Sequence, residues 1–338
     1  MCRIKSPEVR AKRGKKSDCT VNRKSKERNP KDLATHITPA MRIACPAIIE
    51  LLQSDLAFDV FVPSTWKGID MPPYHLDIKP GMPDHLKARA RPVREALYKD
   101  AKTEVDRMRT YFCEASTSPI ACPLVIARKA TAPFIRLCGD YRPINPFISI
   151  PQEPIPHAKA AGWKVFVDLD MTNSFHEIPI DDFTSNLLSV STPWGLFRPK
   201  FLPEGVGPAS IVRRIFADFD DWIIVIFDNF LILASDYHDA LTKLEMVLHR
   251  CQTNGLVLKM KKSWIGPNVV TFFGYEVHSG SWQVSNTRKA AISSMIFPTT
   301  QKQMQSFLGA ANFFQTHIPN FATWVSPLYE CTDRKSVV

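Results

Sequence analysis

The sequence predicts an α+β protein in which helices pack on one face of an antiparallel sheet, and three observations predict it. First, the apolar period changes along the chain, from helical spacing at 93–114 to strand-like alternation at 164–171 and back to helical spacing at 236–255. Second, short apolar runs come in neighbouring pairs separated by turn residues, which indicates hairpins rather than regular βαβ units. Third, 45% of the 338 residues are apolar, enough for a core spread over two or three modules.

Residues 1–31 carry twelve Lys/Arg against Glu8, Asp18 and Glu27, so nine of the ten net positive charges sit there. Such a stretch has too little apolar surface to fold, and residues 1–40 read as a disordered basic tail that could touch nucleic acid or serve as a nuclear address. A solvated tail without a partner is the plainer alternative. The rest of the chain is nearly neutral, so overall charge says little about what the folded part binds. Residues 41–92 mix short apolar pieces with Pro63, Pro72, Pro73, Pro80, Pro83 and Pro92 and read as an irregular linker. No apolar run approaches the ~18 residues that span a bilayer, and the charged start lacks the apolar core of a signal peptide, so a soluble intracellular protein is expected. The eight cysteines form no C-x-x-C and no Cys/His series, which points to reduced thiols rather than disulfides or zinc.

From Val93 to Glu114, Leu97, Ala101, Val105 and Met108 recur at helical spacing. "PLVIARK" and "FIRLCGDYR" read as two strands around a break at Ala130–Pro133. "KVFVDLDM" (164–171) alternates as a strand that places Asp168 and Asp170 on one face. "VIFDNFLILA" (225–234) is an apolar run broken once, by Asp228 and Asn229. It reads as a hairpin, Ile223–Phe227 against Phe230–Ala234, whose tip is either a plain tight turn or the seat of a metal ligand. The following helix presents Leu241, Leu244, Val247 and Leu248 and stops at Gly255. "LVLKM" and "VVTFFGYEV" are strand-like, and Thr300 with Gln303 forms a capping box ahead of Met304, Phe307, Leu308 and Ala311.

If the acidic strand and the acidic hairpin neighbour each other in one sheet, their carboxylates converge as a two-metal phosphoryl-transfer site requires, since Mg²⁺ takes hard oxygen ligands and borrows others from substrate phosphates. The alternative is that Asp168 and Asp170 are ordinary strand-end residues.

Nine segments, in order, resemble the reverse transcriptase of gypsy-type LTR retrotransposon polyproteins: "SPIACPLVIARK", "RLCGDYRPIN", "PIPH", "FVDLDMTNSFHEI", "LPEGVGPA", "VIFDNFLILA", "NGLVLKMKKS", "VTFFGYEV" and "QSFLGAANFFQTHIPNF". The resemblance implies a right-hand polymerase: an N-terminal helix and fingers over 93–163, a palm over 164–283 with a fingers insertion at about 181–201 and a primer grip, and a truncated helical thumb over 284–338. It implies an RNA template, a DNA primer and dNTPs as partners, two Mg²⁺ or Mn²⁺ ions as cofactors, and a location in the cytoplasm, particle-associated in intact elements, with the nucleus as a second site. Oligomeric state is not indicated.

Carried over residue by residue, Asp170 and Asp228 fall on the metal-binding aspartates. Phe175 falls on the aromatic beneath the incoming sugar, where a ring would clash with a ribose 2′-OH, although an ordinary core phenylalanine has the same signature. Arg136 falls on the arginine that clamps the triphosphate, with Lys129 as a second phosphate contact. Lys262 could protonate leaving pyrophosphate or be a solvated charge. Phe272, Phe273, Gly274 and Tyr275 match the primer grip, while strands favour such aromatics as core residues anyway.

Three departures bear on activity. The hairpin motif usually reads Tyr-x-Asp-Asp, and here Ile226 replaces the tyrosine and Asn229 the second aspartate. Adjacent tip residues rarely aim at one point, so position 229 is expected to be peripheral to Asp228, with Asp168 as auxiliary charge beside Asp170. The segments before the hairpin and after "PIPH" are short, and Glu204 stands where glutamine or an apolar residue is usual. No ribonuclease H, integrase or aspartic-protease pattern follows or precedes. A catalytically dead nucleic-acid-binding remnant is therefore the rival to an active polymerase.

Overall fold

The computed structural model describes residues 21–22, 35–62, 65–66, 68–129, 134–149, 162–171, 177–206, 210–226, 228–315 and 317–332. Two short strands, β1 (Val21–Asn22) and β2 (Thr65–Trp66), pair antiparallel. Between them in the chain lie three helices, largely where the sequence reads as linker: α1 (Pro39–Ala44), α2 (Ala47–Gln53) and α3 (Asp55–Phe61). Their Met41, Ile48, Leu52, Ala57, Phe58 and Val60 are buried in the main core, so the linker expectation is corrected for 41–61, while 68–92 is irregular apart from the short strand at Leu86–Lys87 and isolated bridges. Prolines are tolerated at helix starts, and Pro39 opens α1 while Pro46 precedes α2. Six- and seven-residue helices are also too short for a period to register. Most of the basic tail lies outside the described residues, but Ile37 within it is buried and bridges Ile265.

A second sheet is built from β3 (Leu86–Lys87), β4 (Cys113–Ala115), β5 (Ile120–Arg128) and β6 (Ile135–Gly139), with α4 (Glu95–Arg109) against it. After the central strand β7 (Val165–Asp170), the chain returns to them through α5 (Asp182–Leu187), β8 (Val190–Thr192) and β9 (Gly195–Pro199), giving the sheet order β3-β5-β8-β9-β4 with β6 on β5. Ala101 and Val105 of α4 pack on Leu124, Ile135, Leu137 and Phe197 of that sheet.

A short helix, α6 (Ser210–Ile215), leads into the hairpin β10 (Ile223–Ile226) and β11 (Asn229–Ala234). Then come α7 (Tyr237–Asn254) and β12 (Trp264–Ile265), completing an antiparallel sheet in the order β10-β11-β7-β12. Its two faces differ in what they pack on. Val165, Val167 and Leu169 of β7 share a core with Ala240, Leu244, Val247 and Leu248 of α7. Phe166, Ile224, Ile226, Leu231 and Leu233 face Val270, Phe272 and Val277 of the three-stranded sheet β13 (Val269–Phe272), β14 (Tyr275–His278) and β15 (Ser281–Val284). Because side chains alternate, Asp168 and Asp170 belong to this second face.

The segment "LVLKM" is not a strand. Its backbone donors go elsewhere, Leu256 N–H to Cys251 O, Leu258 N–H to Val60 O and Lys259 N–H to Asp170 O, and a 3-10 turn follows at Met260–Lys262. The C-terminal helices are α8 (Asn286–Ser293), α9 (Gln301–Ala311) and α10 (Phe321–Glu330), and α9 starts on the expected Thr300/Gln303 capping box. Among the described residues no helix is long and apolar enough to cross a membrane, and the described cysteines are all free thiols.

Candidate active site

The site forms where β7 ends against the tip of the β10–β11 hairpin. Ile226 pairs with Asn229, and Asp228 lies in the turn just before β11. Asn229 in turn pairs with Asp170, and Leu231 with Asp168. Paired residues of an antiparallel ladder point to the same face, so position 229 lies directly across from Asp170. Position 229 thus shares a sheet face with Asp170, beside Asp228. Asn229 is the first residue of β11, level with the end of β7.

Asp228 sits in the turn. Its carbonyl accepts the Met171 N–H at 2.7 Å, which anchors the tip to the residue after Asp170. Its Oδ1 accepts from Asn229 Nδ2 at 3.2 Å. Asp170 is 8% exposed, and its Oδ2 accepts from Lys262 Nζ at 3.1 Å. Lys262 is delivered by the 3-10 turn, which is fixed by the bond from Lys259 N–H to Asp170 O and by Ser263 Oγ–H donating to Lys259 O.

Burial raises the Asp170 carboxyl above the usual range, Lys262 opposes that shift, and the nearby charge of Asp228 adds to it. The two carboxylates are thus within electrostatic reach of each other. Asp168 is pushed up to about 7, by burial first and by the like charge of Asp170 second. Its strand neighbours are Leu231 and Trp264, neither of which can solvate a charge as water does.

The other expected residues lie apart from this cluster. Phe175 is outside the described residues. Lys129 is exposed near the end of the β5–β6 hairpin, where its N–H bonds Phe134 O. Arg136, in β6, donates from Nη1 to Glu204 Oε2 at 2.9 Å. Phe272 and Tyr275 are buried, the first in the apolar cluster beneath the β10-β11-β7-β12 sheet and the second stacked on Phe313 at 4.7 Å, so both hold the hairpin in place. What the hairpin presents at its tip is the turn Phe273–Gly274, with φ of 49° and 83°. A side chain at 274 would bring its Cβ to 2.7 Å from Arg288 Nε, so glycine fits there by space as well as by φ.

Among the described residues no group of three or more His, Cys, Asp or Glu forms a ready-made metal cage. The donor set is two carboxylates, an amide oxygen and an auxiliary carboxylate, all hard oxygens. That set suits Mg²⁺ bound through one or two carboxylates and completed by water and substrate phosphates.

No protein-family profile matches the chain. It is 26% identical over 273 residues to the retrovirus-related Pol polyprotein from transposon opus of Drosophila melanogaster, covering 76% of this chain and 27% of the relative. The enzymatic polyprotein of cauliflower mosaic virus is 27% identical over 175 residues, covering 49% of this chain and 25% of the relative. The foamy viral protease-reverse transcriptase in complex with double-stranded DNA superposes with a TM-score of 0.71 at 20% identity, over 89% of this chain and 54% of that one. The chain is similar to retroelement polyproteins and has the fold of the foamy viral reverse transcriptase. The same foamy viral enzyme in complex with an RNA/DNA hybrid gives a TM-score of 0.69. This reverse-transcriptase-fold chain spans about a quarter of the length of the two curated relatives named.

Proposed function

We propose that the chain is the RNA-directed DNA polymerase domain of a gypsy-type LTR retrotransposon polyprotein, extending a DNA primer on an RNA template with dNTPs. The observation that carries this reading is the register of Asp170 against Asn229 with Asp228 in the adjoining turn, which gathers the acidic groups of two distant segments at one end of the sheet. Asp170 and Asp228 would hold two Mg²⁺ ions, with Asp168 and the Asn229 side-chain oxygen at the margin. When bound, such ions activate the primer 3′-hydroxyl and neutralise charge on the triphosphate.

The chain's own groups supply the rest. Asp170 is held in place by Lys262, whose ammonium compensates its charge and lies ready to protonate pyrophosphate. Arg136 and Lys129 contact the triphosphate, and Phe175 excludes a 2′-hydroxyl. The turn at Phe273–Gly274 steers the primer terminus.

A second reading, a nucleic-acid-binding remnant without catalysis, is favoured by Asn229. Replacing a carboxylate by an amide removes one ionic contact, a gross ~4 kcal/mol at ~4 Å in an effective dielectric near 20. Extension of oligo(dT) on poly(rA) with dTTP, with and without Mg²⁺, separates the two. The polymerase reading expects Mg²⁺-dependent extension, lowered on the order of 10²–10³-fold by Asp170→Asn, the size of losing one preorganised electrostatic group. Template-primer binding without extension would establish the remnant.

A further inference from the structure

We propose that Glu204 is an internal counter-anion of Arg136, a carboxylate that a triphosphate must displace before it can engage the guanidinium. The inference rests on the proposed role of Arg136 as a phosphate contact.

Arg136 belongs to the fingers hairpin, paired with Ala127 of β5. Glu204 comes from the loop after β9 that leads toward α6, so the ion pair joins the fingers to the approach of the palm. Arg136 Nη1 and Glu204 Oε2 are 2.9 Å apart, with the two side chains 54% and 34% exposed. Among the described residues, Glu204 is the carboxylate within ion-pair distance of Arg136.

Two consequences follow from charge and exposure. A guanidinium whose positive charge is matched by an adjacent carboxylate attracts a polyanion less than a bare one, and the carboxylate repels the same polyanion directly. An exposed ion pair, however, is worth only about 0–1 kcal/mol, so it is readily displaced. The pair therefore lowers the affinity of this position for any phosphate by a modest factor, and a triphosphate, which carries more charge than a monophosphate, offsets that cost more fully.

The other arginines in the fingers show the contrast. Asp140, with a side chain only 5% exposed, is gripped by Arg142 and Arg91 at 2.6 Å each. That cluster is built to stay together, whereas the Arg136–Glu204 pair faces solvent and can open.

The test is calorimetric binding of inorganic tripolyphosphate to the full chain in EDTA, which requires no polymerisation, together with the KM for dTTP on poly(rA)/oligo(dT). Glu204→Gln keeps the shape and removes the charge, and it should tighten tripolyphosphate and lower the KM by about two- to fivefold, the worth of an exposed pair. Glu204→Ala should do the same, and the gain should shrink as salt is raised. Arg136→Gln should abolish the tripolyphosphate affinity in both backgrounds. If Arg136→Gln weakens binding but neither Glu204 variant tightens it, the counter-anion is overturned while Arg136 keeps its phosphate role. If Arg136→Gln changes nothing, the phosphate role of Arg136 fails and this inference fails with it.

Discussion

Asp168→Asn should stabilise the protein, and the gain should grow with pH. Asp168 lies on the half-buried face of the central palm strand between Leu231 and Trp264, and burial with the neighbouring charge of Asp170 pushes its carboxyl up to about 7. A raised carboxylate titrates against folding. Between the unfolded value near 4 and the folded value near 7, the native state holds a proton that the unfolded chain has released, so stability falls with pH across that window and is flat above it. About three units at ~1.4 kcal/mol each set a ceiling of ~4 kcal/mol, of which ~1.5 kcal/mol is already expressed at pH 5. Asparagine does not titrate. The advantage of Asp168→Asn should therefore increase by roughly 1–3 kcal/mol between pH 5 and pH 8.5, the side chain's remaining contact with water keeping it below the ceiling. Urea unfolding in EDTA at the two pH values measures it. A difference between variant and wild type that does not change with pH, or a variant less stable at pH 8.5, would refute the reasoning. A half-protonated Asp168 near neutrality also makes it a weak source of auxiliary charge before any cation is bound.

Restoring the second carboxylate, Asn229→Asp, should lower the Mg²⁺ concentration for half-maximal primer extension by on the order of tenfold, because ligand charge count tunes such affinities. Gly255→Ala should cost about 1–3 kcal/mol in unfolding free energy: φ is +70° and a Cβ would lie 2.8 Å from Gly68 O. Phe230→Ala should cost about 3–5 kcal/mol, since Phe230 is fully buried and meets Phe216 edge-on at 5.0 Å. Asp140 predicts the opposite pH trend to Asp168. Arg142, with help from Arg91, holds its carboxyl well below the usual range, so its stabilisation is present above pH ~4 and lost as the pH falls further. The denaturation midpoint of wild type should drop more steeply than that of Asp140→Asn from pH 5 to pH 3.

Elements whose signals are local were legible in the sequence. The α9 start is written in Thr300 and Gln303, and the α7 end in Gly255, whose left-handed backbone caps the helix. The hairpin at 223–234 and the shared face of Asp168 and Asp170 follow from alternation alone. What the sequence hid depends on distant partners. The helices α1 to α3 bury apolar residues against α7, and no seven-residue stretch declares that by itself. "LVLKM" alternates like a strand, but its donors are taken by Val60, Cys251 and Asp170 from three other places. Within the site, which hairpin residues share the face of Asp170 was decided by strand register, and a slip of one residue moves every side chain to the other face. The Arg136–Glu204 and Lys262–Asp170 pairs join positions 68 and 92 residues apart and left no local trace.

The most direct test of the convergence of Asp170 and Asp228 is anomalous diffraction from Mn²⁺ in crystals grown with template-primer and dTTP. The account predicts a peak between the two carboxylates, about 2.2 Å from an oxygen of each, with Lys262 displaced from Asp170. Crystals that hold nucleic acid and nucleotide but show no metal peak at that pair, or a peak held by one carboxylate with the Lys262 contact intact, would contradict it.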